Sequence, residues 1–304
     1  KIWTNGCRYT YKCAYTPILV RLSSLTSVNV NRHAWFTLGI LSSTLLVVFF
    51  SETMLLPAIP EIMNDFSISY GTAAWIFSAY LIVAAVMTPI AGKMSDIYGK
   101  KKVLLVLLTI YAAGITAGGF ADNISFLLAS RIIQGVGLAA VPAAFSLLRD
   151  TFPPAKLAIA VGVFGSAYSA GSVVGLLAGA SIIHSFGWHF TFFSIVPFAV
   201  AVTIMIAKFV KENKQQLVAL VNTQQSTSRH RTSPSIDMKG AAALSATIIA
   251  FLMALTLIQT GIDSKTLPQI GVAFVVSAIS LTVFVMVERR VTMPLVDLGL
   301  LKDK

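Results

Sequence analysis

The sequence of 304 residues is 56% hydrophobic and only 12% charged. Soluble domains carry about 25% charged residues, so this composition excludes an ordinary soluble domain and indicates a protein that crosses a membrane several times. A formal net charge of +11 is common in nucleic-acid-binding proteins, but here the basic residues lie in loops between apolar runs. We therefore attribute them to orientation in the membrane and to contact with anionic lipid headgroups, and expect no nucleic-acid partner.

Residues 1–33 precede the first apolar run and contain basic but no acidic residues. Their longest apolar stretch is too short for the core of a signal peptide, so we interpret the segment as a cytoplasmic amino-terminal tail. Both cysteines, Cys7 and Cys13, lie in it, and their spacing matches no familiar metal or redox motif. We expect neither a metal nor another cofactor.

Eight apolar runs follow, each long enough to cross about 30 Å of hydrocarbon as a helix. Lys265 lies in one set of connecting loops and Arg131 inside the fourth run, whereas all other Lys and Arg residues fall on the opposite side of the membrane. Because basic loops stay on the cytoplasmic side, the pattern predicts an all-α polytopic protein of the plasma membrane with a cytoplasmic amino terminus. The runs cover about residues 34–57, 71–92, 102–121, 124–148, 157–183, 188–208, 239–261 and 267–287.

The composition changes after the sixth run, and this change divides the chain. Residues 211–238 are polar with few large side chains, which predicts a cytoplasmic linker. The linker separates a six-span bundle over residues 34–210 from two additional transmembrane helices over residues 239–287. Residues 288–304 are predicted to form a cytoplasmic exit segment that is truncated where the chain stops.

The loop between the second and third runs contains Gly92, Asp96, Gly99, Lys100 and Lys101 in the pattern G-x-x-x-D-x-x-G-K-K. Two glycines in a tight turn allow backbone angles or close helix approach that a side chain would obstruct. The pattern and its position between these spans resemble the signature loop of the major facilitator superfamily. The resemblance implies a latch in which Gly92 and Asp96 meet a second helical bundle. The alternative is an orientation signal with a solvated ion pair between Asp96 and the neighbouring lysines.

The order of the segments resembles one branch of that superfamily. A six-span bundle, a basic linker, two extra spans and the exit Glu-Arg-Arg…Pro-Leu-Val-Asp-Leu together are similar to the fourteen-span drug:proton antiporters over about residues 34–300. The resemblance implies a first bundle of two inverted three-helix repeats. It also implies a second bundle that is missing from this chain or supplied by another chain.

The function implied by this resemblance is proton-coupled efflux of small amphipathic compounds or drugs. The expected partners are a small-molecule substrate, protons, the lipid bilayer and the second transporter bundle. Two alternatives stay open: a symporter or uniporter of another small solute, and a non-transporting fragment. An intramembrane enzyme would need clustered acids or His, or a nucleophile with a base, within the spans, and we predict no enzyme.

An acidic residue, Glu52, lies inside the first run towards its outer end. A charged side chain in the hydrocarbon costs about 2.5–3.5 kcal/mol on insertion scales and normally faces the bundle interior or water. The alternative is an interfacial position, because Pro57 follows closely. Tetracycline-exporting members of the family resemble this stretch, including an acid at this point. Many multidrug members instead carry an Asp one residue earlier, where this chain has Ser51.

The fourth run contains Arg131, Gln134, Gly135 and Gly137 and resembles the span-four motif of the superfamily, whose Arg is implicated in proton coupling. The first and fourth runs are antiparallel, and Arg131 and Glu52 both lie about 8–10 Å below the outer surface. We therefore predict that the two face each other, directly or through water. The alternative is an ion pair that serves packing alone.

The fifth run contains Gly171, Gly175 and Gly179, a stripe of small residues that predicts close approach of another helix. The stripe also resembles the antiporter motif G-x-x-x-G-P-x-x-G-G of the superfamily. The chain departs from that motif at Leu176, where Pro is usual, and at Ala180, where the last Gly is usual. The resemblance favours antiport over uniport or symport.

Aromatic residues inside the runs could line a site for an apolar or cationic substrate. The candidates are Trp75, Tyr80, Phe164 and Tyr168. Packing inside the bundle or contact with lipid is the alternative for each of them.

Overall fold

A computed structural model describes residues 32–210, 238–259 and 266–288, and these form helices without a strand. This confirms the predicted all-α class for the part of the chain described. The predicted tail, linker and exit segment lie outside these ranges, apart from the residues that border them. The helices are α1 Arg32–Met54, α2 Ile59–Asp65, α3 Tyr70–Tyr98, α4 Lys100–Gly118, α5 Ile124–Leu138, α6 Ala140–Thr151, α7 Pro154–Phe186, α8 His189–Phe209, α9 Met238–Gln259 and α10 Thr266–Glu288.

Eight segments of the described chain are long and apolar enough to cross a membrane, in agreement with the eight predicted runs. Helix α1 continues through a 3₁₀ turn, Leu56–Ala58, into α2, and the two form the first segment. Helices α5 and α6 form the fourth. Pro142 in the first turn of α6 has no N–H to donate to Leu138, which accounts for the break between α5 and α6.

The boundary between the second and third spans differs from the prediction. Helix α3 extends to Tyr98, beyond the predicted end of the apolar run, so that only Gly99 separates it from α4. Gly99 has a φ of +97° and donates its N–H to the Ser95 carbonyl, and a side chain at this position would be strained. The signature pattern is therefore helical on both sides of a single glycine.

The first six spans pack together as one bundle. Helix α1 contacts α6, α7 and α8, while α5 packs against α3 and α4, and α4 packs against α8. Helices α9 and α10 form a pair, in which Ser277 Oγ donates to the Thr247 carbonyl at 3.2 Å and Ser280 Oγ to the Ala243 carbonyl at 2.9 Å. Because α9 also contacts α3, the two additional spans lie beside the second span of the bundle.

A buried tryptophan joins the loops at the end of the bundle opposite Gly99. Trp188, between α7 and α8, is 1% exposed and donates its Nε1–H to Asp65 Oδ2 at 2.7 Å. Its ring stacks on His189 at 3.6 Å between centroids and meets Phe66 edge-on at 5.6 Å. Gly187, with a φ of +80°, turns the chain so that Trp188 enters this cluster.

We predict that Trp188→Phe lowers the free energy of unfolding by at least about 1 kcal/mol, the net value of one hydrogen bond. The bond to Asp65 is lost in this variant, and the smaller ring also leaves a cavity in the cluster. Thermal unfolding of the purified protein in detergent measures the change. Asp65→Asn keeps a side-chain oxygen as acceptor and should be milder. A larger loss in Asp65→Asn than in Trp188→Phe would contradict this role of the bond.

Candidate functional site

Arg131 lies within α5, and its side chain is fully buried. Its Nη1 donates to Gln134 Oε1 at 2.6 Å, and its Nε donates to the Ile76 carbonyl at 3.3 Å. Gln134 Nε2 in turn donates to Ser51 Oγ at 3.2 Å. This hydrogen-bonded chain joins α5 to α3 and to α1 inside the bundle.

Two aromatic rings of α3 face the same guanidinium. The Arg131 Cζ lies 4.8 Å from the centroid of the Tyr80 ring and 5.6 Å from that of Phe77. Attraction between a cation and an aromatic face reaches about 2 kcal/mol or more when the pair is removed from water. Next to this pair, Tyr111 of α4 donates its hydroxyl to the Val48 carbonyl of α1 at 3.3 Å. The buried charge is thus surrounded by α1, α3, α4 and α5.

Glu52 is half-buried on α1 and interacts electrostatically with Arg131, Tyr80 and Tyr111. No ion pair within 4.0 Å joins its carboxylate to Arg131. The direct form of the predicted contact is therefore wrong, and the water-mediated form stays a prediction. Adjacent helical residues point about 100° apart, and it is Ser51 that faces Gln134.

Ser51 and Tyr111 belong to this cluster but are not among the site residues predicted from the sequence. Both are polar residues inside apolar runs, and a hydroxyl in a span usually finds a partner on another helix. That signal would have identified them as candidates.

The glycines of the span-four motif bring α5 into backbone contact with its neighbours. A Cβ added to Gly135 would lie 2.6 Å from the Tyr80 carbonyl oxygen, and one added to Gly137 would lie 2.6 Å from the Tyr111 backbone nitrogen. A Cβ added to Gly114 of α4 would likewise lie 2.6 Å from the backbone nitrogen of Gln134. These close approaches fix the depth at which the Arg131 and Gln134 side chains reach α3 and α1.

The glycine stripe of α7 lies against α1. A Cβ on Gly171 or Gly179 would lie 2.5 Å from a backbone oxygen of α1, and one on Gly175 would collide with the Phe50 carbonyl and the Thr53 hydroxyl. Thr53 Oγ1 donates to the Ser172 carbonyl at 2.9 Å across the crossing. At Leu176, where the motif would have Pro, α7 continues without interruption.

The signature residues lie at the end of the bundle where α3 meets α4. Lys100 Nζ donates to Asp150 Oδ2 of α6 at 2.6 Å, and Lys101 Nζ donates to the Ala207 carbonyl at 2.8 Å. A cation is favoured at this last turn of α8 because carbonyl groups at a helix carboxyl end carry partial negative charge. Asp96 is exposed and forms no ion pair with either lysine. The ion pair that was the alternative interpretation of Asp96 is therefore not formed with Lys100 or Lys101, because both lysines contact other helices.

Gly92 is exposed, and a Cβ added there would meet nothing within 4 Å. No neighbour within the described bundle thus requires a glycine at this position. Gly92 and the exposed Asp96 lie on the surface of α3, near the turn at Gly99. The predicted latch against a second bundle stays a prediction.

We predict that Lys100→Gln and Asp150→Asn each lower the free energy of unfolding by less than about 1 kcal/mol, because the pair is partly solvated. The two side chains are 21% and 38% exposed. The double variant should be no less stable than the worse single variant, since the second substitution removes a partner that is already lost. Thermal unfolding in detergent of the wild-type protein, the two single variants and the double variant tests this. Strictly additive losses would show that the two residues act independently.

The structure divides the four aromatic candidates between two helices. On α3, Tyr80 is fully buried against Arg131, and Trp75 is half-buried. On α7, the buried Phe164 packs on Phe145 with 6.1 Å between centroids, and the half-exposed Tyr168 meets the ring of Phe49 at 4.2 Å. No ring contact joins the α3 pair to the α7 pair, so a shared substrate site stays a prediction. Among the described residues, no group of three or more His, Cys, Asp or Glu could hold a metal.

The helices and the cluster together define a class of protein. Within the described residues, eight apolar segments are long enough to span a membrane, and a buried guanidinium joins helices of the bundle formed by the first six segments. This is a multi-span helical membrane protein with ionisable groups in its interior. Residues 41–298 match the family model described as Major Facilitator Superfamily, and the chain belongs to this superfamily.

Curated relatives of the chain include proteins whose names refer to drug resistance or export. The "Multidrug resistance protein 3" of Bacillus subtilis (strain 168) is 31% identical over 268 residues, which cover 88% of this chain and 48% of that protein. The "Tetracenomycin C resistance and export protein" of Streptomyces glaucescens is 28% identical over 274 residues, which cover 88% of this chain and 47% of that protein. The chain thus spans about half the length of these relatives.

Solved structures of other transporters share the fold. The POT family transporter PepTSo aligns with a TM-score of 0.54 and 15% identity over 81% of this chain and 52% of that chain. The human organic anion transporter MFSD10 (TETRAN) aligns with a TM-score of 0.53 and 17% identity, and the alignment covers 82% of this chain and 70% of that chain. At these identities the likeness concerns the helical architecture alone.

Proposed function

We propose that the protein is a proton-coupled antiporter that exports small amphipathic compounds across the plasma membrane. The observation that carries this proposal is the cluster in the bundle interior. It places a buried guanidinium, Arg131, and a half-buried carboxylate, Glu52, close enough for their charges to interact but without an ion pair within 4.0 Å. The names of the two curated relatives, which refer to drug resistance and export, support the direction of transport and the class of substrate.

The cluster supplies a means to couple protons to movement of the helices. A proton that binds Glu52 removes the negative charge that attracts the Arg131 guanidinium, and the forces between α1 and α5 change. A cationic or polar substrate that binds near Glu52 competes with that proton. Because binding of the two ligands is linked reciprocally, each promotes release of the other. Export then follows if the proton enters from outside and the substrate enters from inside.

The packing of α1 allows such a change to spread through the bundle. Helix α7 contacts α1 through backbone at Gly171, Gly175 and Gly179, so the two helices are expected to move as one body. Alternating access in this superfamily requires a second bundle against which this body rocks. The second bundle is a proposed partner, and the exposed Gly92 and Asp96 form the surface that would contact it.

The distribution of basic contacts supports a cytoplasmic amino terminus. Lys100 and Lys101 form their contacts at the end of the bundle where α1 begins and where α3, α6 and α8 end. Basic residues favour the cytoplasmic side. In this orientation, Trp188 and Asp65 lie at the outer surface.

A second candidate is symport or uniport of another small solute by the same bundle. It is favoured by the departure at Leu176, since α7 lacks the proline that the antiporter motif carries and continues without interruption. Under this alternative the direction of proton movement is the same as that of the solute, or no proton moves.

Drug susceptibility in an efflux-deficient bacterial host tests the proposal. The protein, expressed from its complete reading frame, should protect cells against several amphipathic drugs and lower the accumulation of ethidium. A proton uncoupler should abolish both effects. Asp122→Asn, at an exposed loop position between α4 and α5, serves as an expression-matched control that retains protection. Protection that survives the uncoupler, or its absence for every compound, would contradict proton-coupled export.

A further inference from the structure

Two hydrogen-bond donors in the interior of the bundle have no acceptor. Arg131 Nη2 and the Tyr80 hydroxyl are both buried and form no hydrogen bond. The two side chains are 0% exposed. More than about 90% of buried polar groups in proteins are hydrogen-bonded, and an exception needs an explanation such as an ordered water.

The two donors belong to one place in the fold. The Arg131 Cζ lies 4.8 Å from the Tyr80 ring centroid. Gly135, one turn after Arg131, holds α5 against the Tyr80 backbone, because its added Cβ would lie 2.6 Å from the Tyr80 carbonyl oxygen. Tyr80 also interacts electrostatically with Glu52. Neither donor can therefore move away to solvent without separating α3 from α5.

We propose that Arg131 Nη2 and the Tyr80 hydroxyl bind an ordered water molecule, and that Tyr80 positions this water to hydrogen-bond the Glu52 carboxylate. The inference rests on the proposed function, because it concerns how Glu52 communicates with Arg131. A water molecule satisfies the site: it accepts from the guanidinium and the hydroxyl, and it donates to a carboxylate. Buried waters typically make about three such bonds. A substrate group is a poorer fit, since both donors are fully enclosed.

Tyr111 provides an internal comparison with Tyr80. It is also 0% exposed and also interacts electrostatically with Arg131 and Glu52. Its hydroxyl, however, already donates to the Val48 carbonyl at 3.3 Å. The titratable groups that face one another here are therefore Glu52, Tyr80, Tyr111 and Arg131, and among them only Tyr80 and Arg131 have an unused donor.

Tyr80→Phe tests the water site because it keeps the ring that faces Arg131 and removes the hydroxyl. Infrared spectra of the purified protein, recorded as a function of pH, show the protonated carboxyl band of Glu52, which is assigned by its loss in Glu52→Gln. We expect the midpoint of this titration to rise by about one pH unit in Tyr80→Phe, because the charged form loses a hydrogen-bond partner. Tyr111→Phe should shift it much less.

The outcomes separate this inference from the proposed function. Equal shifts in the two variants, or none in Tyr80→Phe, would overturn the water site while Glu52 still titrates. A wild-type protein without any titrating Glu52 band would instead overturn the proposed function. If Tyr80→Phe fails to fold, NMR of the wild-type protein decides whether the water is present. The measurement is the transfer of magnetisation from water to the Arg131 guanidinium protons. Its presence supports the site, and its absence contradicts it.

Discussion

Glu52→Gln is expected to lower export driven by a pH gradient by about 5–150-fold, the range that coupling free energies of 1–3 kcal/mol produce. Gln has nearly the size of Glu and keeps a polar group in the cluster, but it cannot bind and release a proton. The exchange of labelled for unlabelled substrate across the membrane needs no net proton movement and should persist. Transport in proteoliposomes, with and without an imposed pH gradient, measures both activities.

The matched control is Asp122→Asn, which neutralises an exposed acid outside the cluster and should retain both activities. Unchanged pH dependence in Glu52→Gln would show that Glu52 is not the coupling group. Loss of exchange as well as of gradient-driven export would show that Glu52 serves the movement of substrate itself and not proton coupling alone. Either result would contradict the proposed role of Glu52.

Gly175→Ala is expected to lower the free energy of unfolding by about 3 kcal/mol, at the upper end of penalties for overpacking. The added methyl group would collide with the Phe50 carbonyl and the Thr53 hydroxyl and would lie 2.9 Å from the Phe50 Cα. Backbone atoms of a packed helix cannot move aside as the end of a flexible side chain can. The crossing of α1 and α7 must therefore open, and the Thr53 bond to the Ser172 carbonyl weakens with it.

Gly165 provides a control on the same helix. A Cβ there would meet nothing within 4 Å. Gly165→Ala should therefore raise the free energy of unfolding by about 0.5–1 kcal/mol, because Ala loses less backbone entropy than Gly in a helix. Thermal unfolding in detergent compares the two variants. The two changes in the free energy of unfolding should have opposite signs. Equal changes would mean that the contact between α1 and α7 does not decide the stability of this helix.

The spans were predictable from the sequence because hydropathy is a local property. Each apolar run has the length that a bilayer requires, and the structure contains a helix at each one. The end of α3 differs from the predicted end of the second run for a physical reason. Hydropathy falls at Lys93, whereas the helix ends only where Gly99 adopts a positive φ. Charge marks where the hydrocarbon ends and does not mark where hydrogen bonding along the helix stops.

The partners of the site residues were less predictable, since they depend on helix rotation. That Glu52 lies in a span is evident from the sequence, but a turn of about 100° decides whether it or Ser51 faces Gln134. Lys100 likewise pairs with Asp150, which is 50 residues away, and not with the nearby Asp96. The stripe on α7 predicted close approach of a helix, yet nothing in the stripe indicates that the neighbour is α1.

Proton movement during transport by the wild-type protein tests the central claim most directly. Proteoliposomes that contain a pH-sensitive dye are given a gradient of ethidium in the absence of any initial pH gradient. Movement of ethidium out of the vesicles should drive protons in, and the reverse gradient should drive them out. Ethidium movement without a proton signal, or with protons moving in the same direction, would contradict proton-coupled antiport.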